Sequence, residues 1–114
     1  MSRVYKIVTR QAWQFAQATG TFDGAAIDIK DGYIHLSTAA QAADTARLHF
    51  QGQTDLILVG FDAEALGSKL IWEPSRGGQM FPHFYGTLPT VLSVTIDDLP
   101  LDAEGAPVVP PLTP

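Results

Sequence analysis

Asp31-Gly32-Tyr33-Ile34-His35-Leu36-Ser37-Thr38-Ala39-Ala40-Gln41 passes from turn to strand to helix within one short stretch. Asp-Gly is a turn signal, and Tyr33 to Ser37 alternates with the two-residue period of a strand. Ile34 and Leu36 point to one side, the core by default. Tyr33, His35 and Ser37 share the other and are placed to act together. Thr38 with Gln41 fits a capping box, starting a helix that the pattern carries to about Phe50 with Ala43, Ala46 and Phe50 inside.

Working outward, Val4 to Val8 reads as a first strand. Thr9 is placed to cap a helix over Arg10–Thr19, with Ala12, Trp13, Phe15 and Ala16 on its apolar stripe and Gly20 at its end. Phe22 to Lys30 has no clear form. Asp55 to Phe61 is the most apolar run and predicts a central strand. Lys69 to Glu73 is a short strand that Pro74 should close, and Ser75 to Gln79 reads as a mobile loop. Pro82 keeps Phe81 to Tyr85 extended, with Phe81, His83 and Tyr85 on one face. Val91 to Asp97 is a late strand. These elements predict an α+β domain over residues 1–107, with two early helices packed on a mixed, mainly antiparallel split β-sheet. The proline-rich tail, 108–114, is expected to be extended and loosely held.

The chain has 114 residues, a net charge of −5 and no cysteine. One core is expected at this length. Without clustered lysine or arginine, duplex nucleic acid is not an expected partner. The absence of cysteine removes disulfides and thiolate chemistry and points to the cytoplasm. No long apolar run suggests a membrane span or a leader.

Two histidines sit among apolar and aromatic neighbours, where a desolvated imidazole needs a hydrogen-bond partner. His35 lies beside a helix N-terminus with Ser37 on its face. The plain alternative is a structural histidine bonded to backbone. Ser37 and Thr38 can hold a ribose or phosphate oxygen or simply cap the helix, and no nucleophile elbow surrounds Ser37. Glu73, at a strand end after Trp72, is a candidate for stabilising a developing cation. It could equally pair with Arg76 or Lys69 at the surface. His83 can form a pocket wall or fill the core. Tyr33, Trp72, Phe81 and Tyr85 can stack a planar ring, although such aromatics are more often core. Arg76 and Lys6 are donors for a small anion. His35, His49 and His83 lack metal-ligand spacing, and no metal is expected.

Val4-Tyr5-Lys6-Ile7, Trp13, the Asp31–Ser37 segment, Trp72-Glu73 and Phe81-Pro82-His83-Phe84-Tyr85-Gly86 together resemble the domain of unknown function 952 family. The resemblance runs from the first strand to Pro107. It implies a distant likeness to the ADP-ribosyltransferase fold, whose split sheet binds NAD or an ADP-ribosylated substrate in a cleft. On that likeness the first-strand motif falls at Tyr5-Lys6-Ile7, the second at His35, Ser37 and Thr38, and the acidic residue at Glu73. Lys6 stands where those enzymes often carry histidine or arginine.

Three readings follow. One is an enzyme acting on NAD, ADP-ribose or a phosphorylated ribose, with His35, Glu73 and His83 catalytic and NAD a candidate cofactor. Another is a binding module for a nucleotide or small metabolite. The last is an interaction protein whose histidine motifs pack as core. The oligomeric state is not readable from the sequence.

Overall fold

The computed structural model describes residues 2–114. Its spine is a four-stranded antiparallel sheet in the order β4 (Ser37–Thr38), β1 (Arg3–Thr9), β5 (Leu56–Asp62), β9 (Ser93–Leu99). Every residue of β5 from Leu56 to Phe61 is buried, as a central strand covered on both faces requires. Residues 4, 6 and 8 of β1 lie with Ile57, Val59 and Phe61 on one face. There α1 (Arg10–Thr19) contributes Trp13 and Ala16 to the core. The other face carries Tyr5, Ile7, Leu56, Leu58 and Leu99, covered by Ala46 of α3 (Ala39–His49).

α1 starts and stops where its caps dictate: Thr9 Oγ1 accepts from the Ala12 amide at 3.1 Å, and Gly20 takes the left-handed φ of 97°. Its stripe is narrower than the pattern predicts, because Phe15 is 72% exposed. α3 has the expected capping box, Gln41 N donating to Thr38 Oγ1 and Thr38 N to Gln41 Oε1. Its buried residues are Ala42 and Ala46, whereas Ala43 faces solvent.

The early part of the chain holds three helices, not two. α2 (Ala26–Asp31) follows β2 (Thr21–Phe22), which pairs with β8 (Leu88–Pro89). α2 turns its isoleucines outward, with Ile29 70% exposed, and its aspartate inward, with Asp28 2% exposed. The expected strand over Tyr33–Ser37 is also divided. β3 (Ile34–His35) pairs with β7 (Gln79–Phe84) in a three-stranded sheet with β6 (Leu70–Ser75), while Ser37 and Thr38 cross to β1. The alternation survives because Ile34 and Leu36 are both buried.

Pro74 does not close β6. It pairs with Met80 on the sheet's edge, where its missing N–H costs no ladder bond. The short α4 (Ala63–Leu66) follows β5. The tail is not loosely held. Val109 and Leu112 pack on the second core, and the Tyr5 hydroxyl donates to the Thr113 carbonyl at 2.6 Å. Among the described residues no helix is long and apolar enough to cross a membrane.

Candidate functional site

β4 pairs with β1 only at Val4 and Tyr5, so the same edge of β1 is uncovered at Lys6 and Ile7. A cavity of about 580 Å³ opens there, bounded by β1, α2, the 35–37 segment, α3 and the β6–β7 hairpin.

Lys6 is the only charged residue on the buried length of β1, and its ammonium is almost wholly shielded. It donates to Asp28 Oδ1 at 3.1 Å, lies 2.9 Å from Asp28 Oδ2, and donates to the His35 carbonyl at 3.0 Å. Two donors are thereby used within the protein and the Asp28 carboxylate neutralises the charge, so Lys6 presents its stem, not its charge, to a ligand. Burial draws its pKa below the ordinary lysine value, against the pull of Asp28.

Asp28 is the residue that sequence reasoning missed. Its Oδ2 accepts from the Ala25 amide at 2.7 Å, starting α2 as an N3 carboxylate does. Its Oδ1 accepts from the His35 amide at 3.0 Å and faces His35 Nδ1 at 2.6 Å. Burial alone would raise this carboxyl. The bonds from His35 and the Lys6 ammonium outweigh that and hold it at about 2. The one signal in the sequence was an aspartate where helical spacing would seat an apolar residue.

His35 and His83 are direct cross-strand neighbours on β3 and β7. Gln41 of α3 holds β7 in place by donating to the Met80 carbonyl at 2.9 Å, as does the Leu36 amide to Pro82 O at 3.0 Å. Tyr33 stacks on the His83 ring with centroids 4.1 Å apart. Glu73 Oε1 faces His83 Nδ1 at 2.8 Å and accepts from the Tyr85 hydroxyl at 2.7 Å. These bonds lower the Glu73 pKa, the one from Tyr85 most, and in return push Tyr85 up to about 12. Glu73 therefore pairs with His83 and Tyr85, and not with Arg76 or Lys69.

Of the residues read as ligand-binding, Lys6, Ser37, Arg76 and Phe81 line the cavity, together with His35 and His83. Ser37 is buried, its Oγ 3.0 Å from Thr45 Oγ1. Arg76, on the hairpin tip, donates to Thr45 Oγ1 at 3.2 Å and lies 4.7 Å over the Phe81 ring. Among the described residues no carboxylate pairs with Arg76. The others lie elsewhere. Thr38 is spent capping α3, Trp72 is exposed on β6, and Glu73 and Tyr85 stand behind His83 outside the cavity. Tyr33 lines a separate hollow of about 190 Å³.

An α+β scaffold with a cavity walled by two histidines and an arginine that has no carboxylate partner among the described residues is thus the class of protein that the fold and site define. The chain belongs to the family described as "Protein of unknown function (DUF952)", whose model matches residues 7–95. It is similar to protein CC0527 from Caulobacter crescentus, with 47% identity over 94% of each chain and a TM-score of 0.92 to the crystal structure. A crystal structure of a double mutant of CC0527 gives 46% identity and the same TM-score, with 94% of each chain covered. The solution structure gives 48% and 0.84, covering 94% of this chain and 92% of that one. No curated protein matches the chain.

Proposed function

We propose that this protein binds a small anionic metabolite in the cavity beside β1, with Arg76 as the anion's partner. The observation that carries this reading is the guanidinium itself. It lines the cavity with no carboxylate paired to it among the described residues, propped on Phe81 and bonded to the Thr45 hydroxyl, while Asp31, the carboxylate in the lining, is bonded to His35. An arginine in that state offers its fork of donors to a phosphate or carboxylate. Ser37 and Thr45 add hydroxyls, and Phe50 and Phe81 add apolar surface for the rest of the molecule.

A phosphorylated ribose, free or within ADP-ribose or NAD, is the ligand class we place first. The likeness to ADP-ribosyltransferases belongs here as an expectation, as does a cytoplasmic setting. Our reading rests on binding and not on NAD cleavage, because Glu73 touches His83 and Tyr85 and does not line the cavity.

Calorimetric titration with ribose 5-phosphate, ADP, ADP-ribose and NAD tests it. Saturable binding is expected for at least one, weakened about tenfold or more in Arg76→Ala, as loss of a charged hydrogen bond implies. Failure of all four to bind at millimolar concentration overturns the reading.

A further inference from the structure

Both histidines that wall the cavity carry a carboxylate on Nδ1: Asp28 at 2.6 Å from His35 and Glu73 at 2.8 Å from His83. A carboxylate only accepts, so each Nδ1 bears the proton. The rings differ at Nε2. On His35 it faces a second carboxylate, Asp31 Oδ2, at 2.9 Å, which calls for a second proton. On His83 no hydrogen bond to Nε2 is formed among the described residues, which leaves a bare lone pair. Nδ1–H held by a carboxylate with Nε2 free is the tautomer of a general base, and a ring donating from both nitrogens is a general acid. The rings lie 5.6 Å apart, side by side on paired strands, and suit neighbouring atoms of one ligand.

We propose, resting on the anionic-ligand reading above, that the two pairs form an acid–base couple that isomerises a phosphorylated hydroxyaldehyde sugar without a cofactor. Arg76 holds the phosphate. His83 Nε2 takes the proton from C2, and the C2–H electron pair becomes the C1=C2 bond. The carbonyl pair moves onto O1, which takes a proton from His35 Nε2. Asp31, itself about one-third exposed, yields its place at His35 to the sugar oxygen. In the enediol, His83 returns its proton to C1 while His35 recovers one from the C2 hydroxyl, giving the ketose. Protons and electrons balance, and nothing is oxidised or reduced. Asp28 and Glu73 act as positioning residues, fixing which nitrogen of each ring is protonated.

Two measurements on the full chain test this. Nitrogen-15 spectra of histidine-labelled protein are expected to show His83 protonated on Nδ1 alone and His35 on both nitrogens. A proton on His83 Nε2 overturns the assignment of roles. Ribose 5-phosphate in D2O is expected to lose its C2 proton to solvent faster with protein than without. The rate should fall at least ~100-fold in His83→Gln and in His35→Gln. Since His83 is buried, Glu73→Ala, altered at a partly exposed position, serves as the second variant. It should slow exchange and abolish the fixed Nδ1–H signature while the circular dichroism is unchanged. Exchange that survives these substitutions overturns the proposal. Binding of ribose 5-phosphate without exchange overturns the chemistry and leaves the binding reading standing. Absence of binding by every ligand titrated above removes both.

Discussion

Lys6 and Asp28 form an ion pair at 2.9 Å in which the side chains are 6% and 1% exposed. Two charges are thus held out of water on the inner face of the main sheet, each satisfied by the other and by His35. Such a pair is a poor investment in stability by itself, since its desolvation offsets most of its attraction.

Breaking the pair from one side is therefore expected to cost more than removing it whole. Lys6→Met and Asp28→Leu should each lower unfolding free energy by about 3–5 kcal/mol. The double variant Lys6→Met/Asp28→Leu should lose clearly less than the sum. Urea titrations of the three proteins give the comparison, and additive losses would refute a coupled pair.

Acid should unfold the protein partly through Asp28. Its carboxyl is held at about 2 in the fold and returns to about 4 in the unfolded chain. A lowered folded value means the contribution is complete above about pH 4 and is lost as pH falls towards about 2. The stability gap between the wild type and Asp28→Asn should accordingly narrow across that window in denaturant titrations at successive pH values.

The Tyr85 phenol, raised to about 12 by its bond to Glu73, makes an opposite prediction at alkaline pH. Its contribution is present below the ordinary value of about 10 and disappears as pH rises through about 12. Ultraviolet titration should show a late tyrosinate step that vanishes in Tyr85→Phe. In Glu73→Ala the same step should move back towards 10.

In the main sheet, Gly60 on β5 sits opposite Thr95 on β9, beside a bulge. A Cβ on Gly60 would overlap Thr95 Oγ1 and approach the Tyr5 ring to 3.0 Å. Gly60→Ala should lower stability by about 1–3 kcal/mol, as overpacking does. Thr95 Oγ1 is itself buried without a partner, so Thr95→Val should raise the melting midpoint, by about 1 kcal/mol in free energy. Thermal melts of both variants check the pair of effects.

The elements that caps and periodicity define were legible in the sequence. α1 occupies Arg10–Thr19 because Thr9 and Gly20 mark its ends, and β5 is central because its run of apolar residues is unbroken. α2 was not legible, since a helix with exposed isoleucines around a buried aspartate reverses the usual pattern, and with it went Asp28. His35 and His83 stood out by their apolar company. That they face one another depends on strand register between segments far apart in the chain, which local patterning does not encode. The same holds for Glu73, whose partner is a histidine across the hairpin and not a neighbouring cation.

The bond from Tyr5 to Thr113 joins residues 108 positions apart. The segment that carries Val109, Leu112 and Thr113 lies over the sheet face that bears Tyr5 and Ile7 of the first strand. Until that segment docks, Tyr5, Ile7 and Leu58 lack part of their cover, so the second core closes only when a loop of about a hundred residues has closed, a contact whose entropy cost places it late in folding.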